Sequence, residues 1–303
     1  MLPLARFESL VHRFHDWKDR LGNFAPEVNA FVGPSFDFDV ITIEAFRRMR
    51  ARCGWKLEIL NLGGLKMRVG PELEQWLVGL RSAGIIGFHV SLAGVDGVHD
   101  RWNSRTGDFA FQTEILRRGG AMGMVRHERL FLAKNTLPVF DQLLNVLEAI
   151  PGDIRDRYAV PFFYQGRAVK YESERIDEND RDHLLARVKN LRLWLSENWL
   201  SEREWLPRLK ERAGAPKEVA LTVEVNEKNI DRLEAQTCEE VFADAQSVFL
   251  MDWAGVPDIE ELCDHFGDSD GRKIYSTGEE LETKLFDIYR VKRSGGRCRN
   301  AAH

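Results

Sequence analysis

The run from Leu57 to Asp100, LEILNLGGLKMRVGPELEQWLVGLRSAGIIGFHVSLAGVDGVHD, leaves this chain few ways to fold. Leu57, Ile59, Leu60 and Leu62 form a short apolar segment that suits a central parallel strand buried on both faces, and Gly63-Gly64 ends it. Pro71 fits a first helical position. Leu73, Trp76, Leu77 and Leu80 then recur at helical spacing on one face, and Gly84 stands where a helix-ending glycine belongs. Ile85, Ile86, Phe88, Val90 and Leu92 make a second strand, with Ser91, Asp96, His99 and Asp100 gathered at its C-terminal end. This is a βαβ unit, and parallel α/β proteins bind ligands beyond the carboxyl ends of their strands.

A chain of 303 residues, 44% hydrophobic and 30% charged, can bury a sizeable core as one barrel-type α/β domain or as two smaller domains. A net charge of −5 gives no global electrostatic case for nucleic acid, and the basic tail from Arg290 to Arg299 reads as solvated chain. No segment approaches the roughly 18 apolar residues of a membrane span, and the N-terminal run lacks a signal-peptide core. A cytoplasmic protein is therefore expected. The four cysteines, Cys53, Cys238, Cys263 and Cys298, contain no C-x-x-C pair, which points to reduced structural thiols rather than a zinc ribbon or a disulfide scaffold.

Elsewhere the pattern alternates. Phe7, Leu10, Val11, Phe14, Trp17 and Leu21 predict an amphipathic helix closed by Gly22. His12 and His15 on it have metal-ligand spacing but no third ligand, so they read as half-exposed surface histidines. Residues 28–32 (VNAFV) suggest a strand, and Thr42 is the expected cap of a helix running to about Arg52. Asp108 is expected to cap the next helix; strands follow at 125–132 (VRHERLFL), 158–164 (YAVPFFY) and 218–225 (EVALTVEV), with helices between them. Residues 177–213 read as two charged helices, and the C-terminal region as helices with a short strand near 273–275.

Several motifs weigh less than they first suggest. Gly63-Gly64 belongs to no P-loop or G-x-G-x-x-G frame and by itself is a turn that offers backbone groups. Asp96, His99 and Asp100 could do acid–base work on a small molecule or form a capped, salt-bridged loop, and the residues leave both readings open. Asp268-Ser269-Asp270-Gly271 lacks the distal glutamate of a calcium loop, with Thr277 in its place, and reads as a surface turn. Trp194, Trp199 and Trp205 fit packing better than base stacking.

Taken together, strand, GG, helix, strand, SLAGVDGVHDRWNSRTGDF, helix and VRHERLFLAKNTL resemble the core barrel of radical S-adenosylmethionine enzymes, specifically over 57–136 and loosely over 40–230. The resemblance implies a partial (β/α)6-type parallel barrel with a C-terminal helical extension, and S-adenosylmethionine as cofactor. It places Gly63 and Gly64 on the methionine end of that nucleotide and matches Ser91 to the serine after the third strand. Arg126 or Glu128 lies on the matching fourth strand, where polar residues hold the nucleotide. Two departures stand out. The acid of the family's GGE motif is Leu65 here, and the C-x3-C-x2-C loop that ligates a 4Fe-4S cluster is absent.

Three readings follow. The chain is a degenerate, cluster-free member that keeps the barrel as a binding or partner domain; or a cluster-bearing segment lies upstream of Met1; or it is an ordinary metal-free barrel enzyme using Asp96, His99 and Asp100. A small-molecule or peptide substrate and a protein partner are compatible with each, a membrane with none. The expected organisation is an N-terminal helix and connecting segment over 1–39, the barrel core over 40–230, an α-rich extension over 231–290 and a basic tail over 291–303.

Overall fold

The computed structural model describes residues 3–22, 39–52, 56–162, 166–187, 192–193, 199–214 and 221–293. Helices α1 (Leu4–Leu21) and α2 (Val40–Arg52) precede strand β1 (Ile59–Asn61). Then come α3 (Gly70–Ser82), β2 (Gly87–Leu92), α4 (Asp96–Asn103), α5 (Asp108–Ala121), β3 (Val125–Leu132), α6 (Phe140–Glu148) and β4 (Ile154–Pro161). The remainder holds α7 (Glu178–Arg187), β5 (Arg192–Leu193), β6 (Leu200–Ser201), α8 (Glu202–Glu211), α9 (Ile230–Ala235), α10 (Cys238–Trp253), α11 (Ile259–Phe266), β7 (Ile274–Tyr275) and α12 (Gly278–Arg293).

The chain is an α/β fold. Strands β1 to β4 form a parallel sheet in sequential order, the two-residue β5 pairs parallel with β4, and β6 with β7 makes a separate antiparallel pair. No helix among the described residues is long and apolar enough to cross a membrane.

The βαβ unit forms for the reasons its sequence suggests. Pro71 and Glu72 open α3, and Leu73, Trp76, Leu77 and Leu80 are buried along it. Gly84 adopts φ +85, and the Ile85 amide returns to the Leu80 carbonyl at 3.0 Å, closing the helix with the left-handed turn that glycine adopts without strain. One expectation about this unit fails. β1 is not buried on both faces: Leu60 is buried but Asn61 is exposed, and β1 stands at the end of the sheet order. A polar residue at that alternate position cannot enter a core without a partner.

Two compact units are distinguished. The first comprises Met1–His89, Ala121–Val125 and Glu218–Ala254. In it Phe7, Leu10, Phe46, Met49, Ile230, Leu233 and Val241 form one apolar cluster, which joins α1 and α2 to α9 and α10. The Arg6 guanidinium braces it, pairing with Asp231 and Glu234 at 2.5 Å each. Val223 and Val225 lean on the same cluster in irregular chain, so over 221–225 the expected strand is absent. Their alternation is satisfied by helical neighbours instead of a strand partner. His15 is buried rather than half-exposed, while His12 lies 3.7 Å from Glu8. Asp39, not Thr42, caps α2, its Oδ1 accepting the Thr42 amide at 2.8 Å.

The second unit comprises Val90–Gly120, Arg126–Lys217 and Gly255–His303. Trp205, Leu206 and Leu209 of α8 pack with Leu262, Tyr275, Leu281 and Leu285. Ser201 and Glu204 form a reciprocal capping box at the start of α8. Of 177–213, expected as two helices, Glu178–Arg187 and Glu202–Glu211 are helical as α7 and α8, but Arg192–Leu193 and Leu200–Ser201 are the strands β5 and β6; Trp199 and Trp205 are both buried. Asp268 accepts the Asp270 amide at 3.0 Å in a turn. The segment 28–32, Cys53, Trp194, Cys298 and the tail beyond residue 293 lie outside the described residues.

Candidate functional site

The residues singled out by sequence fall into three settings. Gly63 and Gly64 form an exposed turn just past β1, on the carboxyl-terminal side where ligands bind parallel sheets. The Gly63 amide is held by Asn61 Oδ1 at 3.0 Å, and Gly64 has φ +77. Leu65, where the resembled family has an acid, is 2% exposed and belongs to the core. This turn therefore offers backbone groups and no charge. Ser91 is half-buried one residue before the end of β2.

The loop after β2 is built around His99, which is fully buried. Its Nδ1 accepts the Ala93 amide at 3.1 Å, so the ring carries its proton on Nε2, 3.2 Å from Asp108 Oδ2. Asn103 and Gln112 donate to the same oxygen at 2.5 and 2.7 Å. Burial alone would raise the Asp108 carboxyl, but these hydrogen bonds outweigh it and hold the group below its ordinary value. Asp100 accepts the Gly107 and Phe109 amides at 2.5 and 3.0 Å. Asp96, exposed with φ +41, begins α4. His99 and Asp100 are thus occupied in closing the loop between α4 and α5, and Asp108, expected as a helix cap, is instead the first residue of α5, with its side chain anchoring His99.

Arg126 and Glu128 come together, but in the amino-terminal half of β3. Their exposures are 3% and 0%, and Arg126 Nε lies 3.1 Å from Glu128 Oε1. Arg126 Nη2 donates to the Leu147 carbonyl at 3.1 Å, and Arg157 donates to both Glu128 and Glu148. These contacts face α6. Ligand-binding ends of parallel strands are the carboxyl-terminal ones, so this cluster lies away from where the resemblance would put a nucleotide. Burial pushes the Arg126 guanidinium below its ordinary value, Glu128 opposes that push, and neighbouring Arg157 adds to it.

The opposite face of the same strands holds residues that sequence reading passed over. Burial along β3 alternates strictly, with Arg126, Glu128, Leu130 and Leu132 inside and His127, Arg129 and Phe131 half-buried. Register sets His127 beside Asp156 and Arg129 beside Tyr158. His127 Nδ1 is 2.9 Å from Asp156 Oδ2, with side chains 25% and 40% exposed. Arg129 Nε donates to the Tyr158 hydroxyl at 3.0 Å. The period of two in VRHERLFL is the signal that finds this face: once Leu130 and Leu132 are taken as buried, His127 and Arg129 must point the other way.

The two cysteines among the described residues do not fit an iron–sulfur cluster. Cys238 and Cys263 are buried, one in each unit, and burial pushes both up, Cys263 to about 11, whereas cluster ligands are thiolates. Cys238 Sγ lies 3.7 Å from the Arg13 carbonyl, in helix packing. No protein-family model, curated protein or solved structure matches the chain.

Proposed function

We propose that this chain is a cluster-free relative of the radical S-adenosylmethionine enzymes, a partial (β/α)6-type barrel that binds a small molecule and generates no radical. The observation that carries the reading is the state of its sulfur. The strand–glycine–helix–strand core and the SLAGVDGVHD segment resemble that family, while the C-x3-C-x2-C loop is missing and the two described cysteines are buried as thiols. The polar residues at the matching positions support the same view. Leu65 replaces the acid, and Arg126 and Glu128 spend their charge on each other and on Arg157. His99 and Asp100, the core of the ordinary-enzyme alternative, are bonded to protein atoms within their own loop.

The test is anaerobic reconstitution of the purified protein with iron and sulfide, followed by absorbance and by calorimetric titration with S-adenosylmethionine. No stoichiometric cluster band is expected, and a stoichiometric band would overturn the reading; saturable heat would identify S-adenosylmethionine as the small molecule, and its absence would leave only a barrel that has lost the nucleotide.

A further inference from the structure

We infer that the half-exposed face of β3 and β4 binds a small organic acid: Arg129 holds its carboxylate, and His127 accepts a hydrogen bond from a hydroxyl or ammonium group at its other end. This deepens the small-molecule part of the reading above, yet it needs only these two strands.

Polarity fixes the roles. A carboxylate can only accept, so the 2.9 Å bond to Asp156 is donated by His127 Nδ1, which in the uncharged form of the ring makes Nε2 an acceptor. Arg129 uses Nε on the Tyr158 hydroxyl and lies over that residue's ring, 5.6 Å from its centre. Those contacts fix the guanidinium plane and leave the two Nη nitrogens without a partner among the described residues. A planar fork held in this way suits a carboxylate. The acceptor and the fork therefore sit side by side on one sheet face.

Spacing sets the ligand's length. His127 and Arg129 are two residues apart on one strand and share one face, with a backbone spacing of about 6 to 7 Å, so the ligand is a short acid, for which about four carbons is the length to test. Charge sets its valence. The Asp156 carboxylate beside the site repels a second negative charge, so a monoanion with a donor at its far end is favoured over a phosphate. Cross-strand pairs by themselves stabilise a sheet by only about 0.2–1 kcal/mol each. Two adjacent pairs, each of them half-exposed, in which His127 Nε2 and the Arg129 Nη nitrogens remain for a ligand, are arranged for binding rather than for the sheet.

The probe is 4-aminobutanoate, with 4-hydroxybutanoate, butanoate and butylamine for comparison, followed in the histidine imidazole NMR spectrum. The His127 signal is assigned by its loss in His127→Gln. Saturable movement of that signal is expected with the first two compounds, with binding at least about tenfold weaker for butanoate and butylamine, each of which lacks one end. Arg129→Met should weaken 4-aminobutanoate by about tenfold or more at unchanged melting temperature. If that variant does not fold, Tyr158→Phe keeps the ring but removes the hydroxyl that orients Arg129, and it should weaken binding several-fold. A His127 signal that none of the four compounds moves, or binding that these variants leave unchanged, would overturn the inference. A cluster band in the reconstitution experiment would sink the cluster-free reading and leave this one standing.

Discussion

His99 Nε2 and Asp108 Oδ2 face each other at 3.2 Å across the turn that joins α4 to α5, and both side chains are buried. The same histidine's Nδ1 takes the Ala93 amide, so one ring ties the end of β2 to the start of α5.

Asp108→Asn should therefore cost stability in a pH-dependent way. Buried Asp108 would be raised by desolvation, but bonds from His99, Asn103 and Gln112 leave it lowered in the folded state. A lowered folded value stabilises the fold once the group is ionised, and that stabilisation is lost as pH falls through it. Denaturant unfolding should show the variant weaker by roughly 2 to 4 kcal/mol at neutral pH, with the gap narrowing in acid below about pH 4. A gap that stays constant with pH would mean the carboxylate's charge has no part in it.

Glu128 accepts a hydrogen bond from Arg157 and forms an ion pair with Arg126, with no exposure of its own. Glu128→Gln leaves two guanidinium groups facing each other around a neutral amide in a buried site, and it should cost about 3 to 5 kcal/mol. Replacing Arg126 by Met and Glu128 by Leu together removes the most deeply buried ion pair and leaves Arg157 with Glu148 as its partner. This double variant should be the more stable of the two by denaturant midpoint, and an equal or greater loss would contradict the pairing.

Arg175 is fully buried between two rings, 4.4 Å from the Phe162 centre and 4.1 Å from that of Tyr275, and it bonds Glu280 at 2.8 Å. Lysine carries the charge but neither the planar stack nor the fork, so Arg175→Lys should lose about 2 to 4 kcal/mol in thermal or denaturant unfolding. Burial also pushes the Tyr275 phenol up, and Glu172 adds to the shift. A raised folded value contributes stability below the ordinary phenol range and loses it as pH rises. In an alkaline spectrophotometric titration of the five tyrosines, Tyr275 should ionise only as the protein unfolds.

Cys238 and Cys263, buried and held as thiols, should resist a thiol-specific disulfide reagent in the native protein and react once denaturant is added. Peptide mapping after a short exposure distinguishes them from Cys53 and Cys298. Rapid native labelling of either buried thiol would show that its helix opens readily.

Much of the fold was legible because its signals are local. Helix α3 was readable from Pro71, the spacing of Leu73 to Leu80 and Gly84, all of which act within a few residues of one another. The strand expected over 218–225 misled because alternation reports that Val223 and Val225 are half-buried, not what buries them. The same limit governed the cap of α2. Asp39 and Thr42 are both good capping residues, and only backbone geometry shows that Asp39 accepts and Thr42 donates.

The candidate site divides along the same line. By itself the sequence determined that no C-x3-C-x2-C loop is present, that Leu65 follows the double glycine, and that His127 and Arg129 share a strand face opposite Arg126 and Glu128. Only tertiary structure decided which face is buried and what each charge meets. Glu128 finds Arg157 and His127 finds Asp156 at a separation of 29 residues, through the register of β3 against β4. Strand register is set by packing and hydrogen bonding across the whole sheet, and no window of local sequence contains it.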